Sequence, residues 1–438
     1  MYTEIHPIKD IVRYQKQGLA RGICSVCSSN RYVIEAAIEK AAMENTYVLI
    51  EATSNQVNQY GGYTGMKPAD FRDFVFSIAY KQKFPTDRII LGGDHLGPFV
   101  WKNEASKIAM AKAEELIKQY VLSGFSKIHI DTSMRLGGDP EGKCLETSLI
   151  AERGAVLCAV AREAFNELKK FDCTAVAPVY VIGSEVPIPG GSQQPGEELK
   201  VTSVRGLENT IEEFRDAFAR HGLIEEWENV VAVVVQPGIE FGDETIHEYN
   251  REDAKELSKF IKKYPNLVFE GHSTDYQTAG SLKQMVEDGI AILKVGPALT
   301  FAVREAMFLL QIIENELFAS NPEVRLSKFM ETLDEAMIKD PVHWNKYYHG
   351  KEGKIRFKRK YSLSDRCRYY LTAPEVSSSI DILISNLRRE NIPVTLLSQF
   401  FPIQYNKIRN GVLKNEPEEI IKDKVVNVLE DYYYATAN

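Results

Sequence analysis

The chain has 438 residues, 44% apolar and 26% charged, which is enough for one large globular domain with an appendage. A formal charge of −8 leaves no basic surplus for nucleic acid or an anionic membrane, so neither is expected as a partner. No run approaches the roughly 18 consecutive apolar residues of a membrane-spanning helix, and the opening MYTEIHPIKDIVRYQKQG has no apolar core of the signal-peptide kind, so the expected location is the cytoplasm.

Eight short β-rich runs recur along the chain, each followed by a helical pattern. The strands are GICSVC (22–27), YVLIEA (47–52), RIILGGD (88–94), KIHID (127–131), PVYVIGSE (178–185), VVAVVVQ (230–236), LVFEGH (267–272) and AILKVG (291–296). The segments between them, such as RYVIEAAIEKAAM and NEASKIAMAKAEELIKQYV, carry apolar residues at three- and four-residue intervals, the stripe a helix needs to pack on a sheet. Alternating strand and helix implies parallel strands with right-handed crossovers. No glycine-rich nucleotide fingerprint follows the first strand, and eight units within about 320 residues match the usual size of a closed barrel. The expected fold is therefore α/β: a (β/α)8 TIM barrel over 1–320, with a mostly helical C-terminal extension over 321–438. Within that extension, KIRFKRKY reads as a solvated face, while SLSDRCRYY (362–370) is placed to deliver Arg366 or Arg368 to a phosphate.

The six cysteines are scattered, unlike a disulfide framework. Cys24 and Cys27 form a C-x-x-C without a second such pair, and the local run reads as a strand ending in a turn rather than half a zinc site.

In such barrels the active site lies at the C-terminal ends of the strands, so the strand tips form an inventory. They present Glu51 with Ser54 and Asn55; Asp94-His95; His129 and Asp131; Glu185; Gln236; Glu270 and His272 with Ser273 and Asp275; and Lys294 with Gly296. Side chains alternate along a strand, so Lys127, His129 and Asp131 share one face and Ile128 and Ile130 the other. The apolar set suits the helix layer and the ionisable set the barrel mouth. So many carboxylates cannot be buried unpaired; they must be hydrated, paired or bound to a cation.

Imidazoles and carboxylates converging there suit a divalent metal, Zn²⁺ first, with Mn²⁺, Co²⁺ or Ni²⁺ as alternatives. The expected ligands are His95, His272 and Glu185; the blander reading has both histidines hydrogen-bonding loop backbone. His129, one pleat deeper, reads as a buried supporting group, and the other five histidines as unremarkable. Asp94, Asp131, Glu51 and Glu270 are the candidate catalytic carboxylates. Ser54, Asn55, Gln236, Ser273, Lys294, Gly296 and Arg366 are the candidates for substrate and phosphate. GHST and VGPAL put small residues where backbone amides can approach an anion. VPIPGG (186–191) reads as a rigid turn aiming Glu185, or part of a lid, and the neighbours of Lys294 do not require a Schiff base. No G-x-x-x-x-G-K-[ST] run occurs, which sets a P-loop kinase aside.

Together GICSVCSSN, LIEATSNQVNQYGGYTGMKPADFR, IILGGDHLGP, FSKIHIDTSM, VIGSEVPIPGG, VVQPGIEF, HSTDYQT, ILKVGPALTFAVREA and YSLSDRCRYY resemble the GatZ/KbaZ type of class II tagatose-bisphosphate aldolase subunit. The resemblance implies one of two roles: a partner subunit that stabilises or completes a catalytic aldolase chain, or a metal-dependent epimerase at C4 of ketohexoses such as fructose and tagatose 6-phosphates. Class II aldolases carry an Asp-His pair at a strand end, with histidine on zinc and aspartate moving protons; GGDHLGP looks like that pair in Asp94-His95. Their other ligands are histidines. His272 supplies one, and the third position falls to Glu185 or another carboxylate. The implied chemistry lies across C3–C4 of a phosphorylated ketohexose, and a homo-oligomer is also expected.

Overall fold

The computed structural model describes residues 6–140, 145–185 and 200–437. VPIPGG and Cys144 lie outside the described residues. All eight expected strands form: β1 Ile23–Cys27, β2 Val48–Thr53, β3 Ile89–Leu96, β4 Lys127–Ile130, β5 Val179–Ile182, β6 Val230–Val235, β7 Val268–Gly271 and β8 Ile290–Val295. They close into one parallel barrel in which each strand pairs with its neighbours in sequence and β8 returns to β1. β5 is shorter than its apolar run suggests; it stops at Ile182, and Ser184 and Glu185 form a bend beyond it.

The barrel interior has two levels, and the alternation of side chains produces both. The lower is apolar, with Ile23, Leu49, Ile90, Val179, Val268 and Ile292, and is closed from below by Ile8 and Val12 of the helix Pro7–Lys16. Pro7 opens that helix where a missing N–H costs nothing, and the His6 ring caps it by accepting from Ile8 N at 3.2 Å. The upper level is ionisable and fully buried: Glu51, Lys127, His129 and Glu270 all have 0% exposure. Ile128, Ile130 and Phe269 point outward into the helix layer, as the two-residue period requires.

Beyond the barrel lie the helices Phe329–Lys339, Glu352–Tyr361, Pro374–Leu387, Val394–Phe400, Pro402–Arg409 and Pro417–Thr436. The run KIRFKRKY falls within the second of these, and its Arg359 is buried against Asp334 at 2.7 Å instead of facing solvent. The last helix comes back to the barrel. Its stripe of Ile421, Val425 and Leu429 is fully buried, Gly22 N donates to Thr436 O at 3.2 Å, and Tyr432 Oη donates to Thr274 O at 2.9 Å. The extension therefore braces the loop after β7. No helix of the described residues is long and apolar enough to cross a membrane.

A candidate metal centre at the barrel mouth

Asp94 and His95 are adjacent, so in a regular strand they would face opposite sides. They do not, because the β3–β4 register shifts between Gly93 and Leu96, and His95 takes φ +47°. A bulge of this kind re-aims side chains next to a site, and a left-handed non-glycine residue stores strain there. Both side chains consequently enter the barrel. Gly92 has a related role one step earlier. A Cβ at that position would lie 2.6 Å from Glu51 Cγ, so the glycine leaves room for the Glu51 carboxylate to cross toward Lys127.

Three imidazoles meet at this level. The ring centroids of His95 and His272 are 4.8 Å apart, His95 and His129 5.0 Å, and His129 and His272 5.1 Å. With Asp94 they offer four ligand atoms within 4.8 Å of one another. Each ring has one nitrogen against a carboxylate: His95 Nδ1 with Asp131 at 3.0 Å, His129 Nδ1 with Asp94 at 3.0 Å, and His272 Nε2 with Glu270 at 2.9 Å. A carboxylate behind His95 and behind His272 can take the proton of the facing nitrogen and turn the other nitrogen's lone pair outward, the arrangement that supports metal-bound histidine, while His129 Nδ1 also accepts from His95 N at 3.2 Å. His129 Nε2 is buried without any hydrogen-bond partner. An orphaned buried nitrogen needs an explanation, and a cation supplies one.

Charge points the same way. In this level Glu51, Asp94, Asp131 and Glu270 bring four formal negative charges, and Lys127 and Lys294 return two. Lys127 bridges Glu51 at 2.7 Å and Glu270 at 2.6 Å, while Lys294 bridges Glu51 at 2.9 Å and Asp94 at 2.7 Å. With the imidazoles neutral, a deficit of two remains, the charge of one divalent ion. Burial opposes the charge on Asp94, but His95, Lys294 and His129 outweigh it and hold the carboxyl well below its usual range. Burial likewise opposes protonation of His95, yet Asp94 and Asp131 raise it. His272 is pushed down to about 3, chiefly by burial, so it stays neutral and keeps a lone pair to donate.

One of the three expected ligands does not join the imidazole cluster. Glu185 is exposed, accepts from Thr202 Oγ1 at 2.7 Å, and lines a separate cavity with Gln236, away from the imidazole cluster. His129 lies in the cluster instead. The alternation rule puts His129 on the inner face but one pleat deeper than the strand tips; in the folded barrel the rings of His95 on β3 and His272 just past β7 lie 5.0 and 5.1 Å from it. Gln236 also departs from expectation, because its Oε1 turns back to accept from Gly238 N and Ile239 N.

Above the cluster opens a cleft of about 120 Å³, lined by Asn55, Asp94, His95, His272, Ser273, Lys294, Gly296 and others. Ser54 is buried beneath it, donating to His95 O at 3.1 Å, so it positions the bulge instead of meeting a ligand. Glu51, Glu270 and Asp131 stand behind the cleft wall; Asp131 accepts from Ser133 Oγ at 2.7 Å as well as facing His95. Lys294 is charged and ion-paired, which suits a bridge and not an amine nucleophile. Arg366 does not reach the cleft: it donates to His343 O at 3.1 Å and stacks on Tyr347. Arg368 lines the cleft instead. Cys24 and Cys27 are both free thiols on opposite faces of β1, Cys24 packing in the helix layer and Cys27 Sγ donating to Asp94 Oδ2 at 3.2 Å. Sequence reasoning misses Tyr63 and the residues 28–30 in the cleft wall, and gives Asp275 no role.

Comparison with known proteins adds the following. Residues 8–437 match the model of the family described as D-tagatose-1,6-bisphosphate aldolase subunit GatZ/KbaZ-like. The D-tagatose-1,6-bisphosphate aldolase subunit GatZ of Salmonella agona is 48% identical over 427 residues, 98% of each chain. The Klebsiella pneumoniae protein of the same name is 47% identical over 431 residues, 98% of this chain and 99% of its own. Among solved structures, a probable tagatose 6 phosphate kinase from Sinorhizobium meliloti superposes with a TM-score of 0.85 at 44% identity, covering 95% of this chain and all of that one.

Proposed function

Because the chain belongs to the GatZ/KbaZ-like family of D-tagatose-1,6-bisphosphate aldolase subunits, we propose that it acts on a ketohexose phosphate, working across C3–C4 and epimerising C4 between the fructose and tagatose 6-phosphates. The observation that carries this reading is the triad of imidazoles, each backed by a carboxylate and each with a nitrogen left over. His95, His129 and His272, with Asp94 beside them, would hold a divalent ion, Zn²⁺ first. When bound there, such an ion supplies Lewis acidity to a carbonyl or a pair of hydroxyls.

The chain's own residues supply the rest. Asp94 lines the cleft and is held ionised, so it is the carboxylate able to take the C4 hydroxyl proton. Loss of that proton lets the C3–C4 bond break, leaving an aldehyde at C4 and an enediolate over C2 and C3. Lys294, 2.7 Å from Asp94, favours by its charge the return of that carboxylate to the ionised form. The aldehyde turns over, the bond re-forms on the other face, and Asp94 gives the proton back. Glu51, Glu270, Lys127 and Asp131 orient the cluster and do not touch the sugar.

The test is conversion of fructose 6-phosphate to tagatose 6-phosphate by the purified chain with Zn²⁺ or Mn²⁺. The reading requires turnover that EDTA abolishes and that His95→Ala, His129→Ala and His272→Ala each lose. Metal-independent turnover, or full activity in those variants, refutes it. The relatives' names favour a second reading, in which this chain is the supporting subunit of an aldolase. That reading predicts no turnover by the chain alone and a gain in activity or stability of an added class II aldolase chain.

A further inference from the structure

Barrels of this kind commonly seat a phosphate on the loops after the seventh and eighth strands, at a helix N-terminus. In this chain the turn after the eighth strand has no backbone N–H left. Gly296 N and Ala298 N both donate to Asp275 Oδ1, at 3.0 and 2.8 Å. Pro297 has no N–H, and Leu299 N and Thr300 N bond back to Gly296 O at 3.1 and 3.4 Å. The Thr300 hydroxyl donates to Asp365 Oδ2 at 2.7 Å. Asp275 is 3% exposed, yet its side chain forms part of the cleft wall. A carboxylate thus stands where an anion would otherwise be welcomed, and a second negative group brought against it meets both repulsion and a lack of donors.

The cations of the cleft wall tell the complementary half. Among the described residues they are Lys294 and Arg368, histidines aside. Lys294 is committed to Glu51 and Asp94. Arg368 makes no direct ion pair with a carboxylate among the described residues; its Nη1 donates to the carbonyls of Ser364 and Asp365 and its Nη2 to Tyr369 Oη, which fixes the guanidinium within electrostatic reach of Asp365 and Asp275 without a salt bridge to either.

We propose that this is a single-anion cleft: Arg368 takes one phosphate and Asp275 excludes a second, so the chain selects ketose monophosphates over bisphosphates. The inference rests on the ketose-phosphate reading above and adds to it the residue that sets specificity. It also means that this chain is not the one that holds a bisphosphate in any aldolase assembly it joins.

Calorimetric titration of the full-length, zinc-loaded chain with fructose 6-phosphate and fructose 1,6-bisphosphate near neutral pH tests it. The wild type is expected to bind the monophosphate about tenfold tighter or more, the scale of a charge-assisted hydrogen bond to phosphate made or forgone. Asp275→Ala frees both N–H groups and should shift the ratio toward the bisphosphate by about tenfold. Asp275→Asn keeps the cap and removes the charge, so it should shift the ratio by less. Arg368→Met should weaken the monophosphate by about tenfold while leaving any binding of free fructose unchanged. A wild type that binds the bisphosphate as tightly as the monophosphate overturns the inference, as does an unchanged ratio in a folded Asp275→Ala chain. Should Asp275→Ala fail to fold, the wild-type ratio and Asp275→Asn decide. Failure of the wild type to bind either sugar phosphate overturns the ketose-phosphate reading and this inference with it, whereas a bisphosphate preference overturns the inference alone.

Discussion

Lys127→Met is the sharpest probe of the buried charge layer. Lys127 has 0% exposure and pairs with Glu51 at 2.7 Å and Glu270 at 2.6 Å, so methionine fills the volume but turns a deficit of two charges into three. Removing one partner of a buried ion pair costs about 3–5 kcal/mol, because the charge left behind has neither water nor a partner. At roughly 2.1 cal/mol/K per residue, 438 residues unfold with an entropy of about 0.9 kcal/mol/K, so Tm should fall by about 3–5 °C. The loss should be pH-dependent. Burial opposes ionisation of Glu270, but Lys127, Lys294 and His272 outweigh it and depress its carboxyl in the folded chain. A depressed carboxyl contributes stability above its unfolded pKa of about 4.3 that disappears as pH falls through the folded value. The gap between wild type and variant is therefore widest near neutrality and closes in acid. Glu270→Gln in the Lys127→Met background should recover part of the loss, and thermal melts of the four-member cycle measure that coupling. A cost under about 1 kcal/mol at pH 7, or strictly additive losses in the double variant, would refute the argument that Lys127 neutralises Glu270.

The remaining predictions bear on the metal, the packing and a buried carboxyl. Chelator competition with Zn²⁺ should show His129→Ala as damaging to metal affinity as His95→Ala or His272→Ala, whereas Glu185→Gln leaves affinity unchanged; the reverse order restores Glu185 as a ligand. Asp131→Asn, which removes the anion behind His95, should weaken metal binding by about 10–100-fold in the same assay. Gly92→Ala forces a Cβ to 2.6 Å from Glu51 Cγ and should lower stability by about 1–3 kcal/mol in a denaturant melt. Burial raises the Asp275 carboxyl to about 6 despite its backbone donors. A raised carboxyl contributes stability below its unfolded pKa that is lost as pH rises, so wild-type stability should decline by about 2 kcal/mol between pH 4 and 6.5 relative to Asp275→Asn; parallel profiles would show that Asp275 does not titrate there.

Local pattern was enough for the architecture of this chain. The two-residue alternation in KIHID and LVFEGH sorts Ile128, Ile130 and Phe269 to the helix layer and Lys127, His129 and Glu270 to the interior, because a strand's side chains point to alternate sides whatever surrounds it. The rule that polar groups at strand ends face the barrel mouth singled out Asp94, His95 and His272 as candidates, and the length of each run located eight strands to within a few residues. What it could not supply is distance between elements. Asp94 and His95 enter the barrel together only because β3 slips against β4, and a slip is a property of two strands. His129 becomes the third imidazole because the rings of His95 and His272 lie 5.0 and 5.1 Å from it, while Glu185 lies past the end of a strand that stops early. Arg366 and Arg368 are two residues apart in one run, and the turn of a 3-10 helix alone decides which faces the cleft. That Asp275 has already used the amides of Gly296 and Ala298 was likewise hidden, since a hydrogen bond between two loops is settled only when the barrel closes and brings them together.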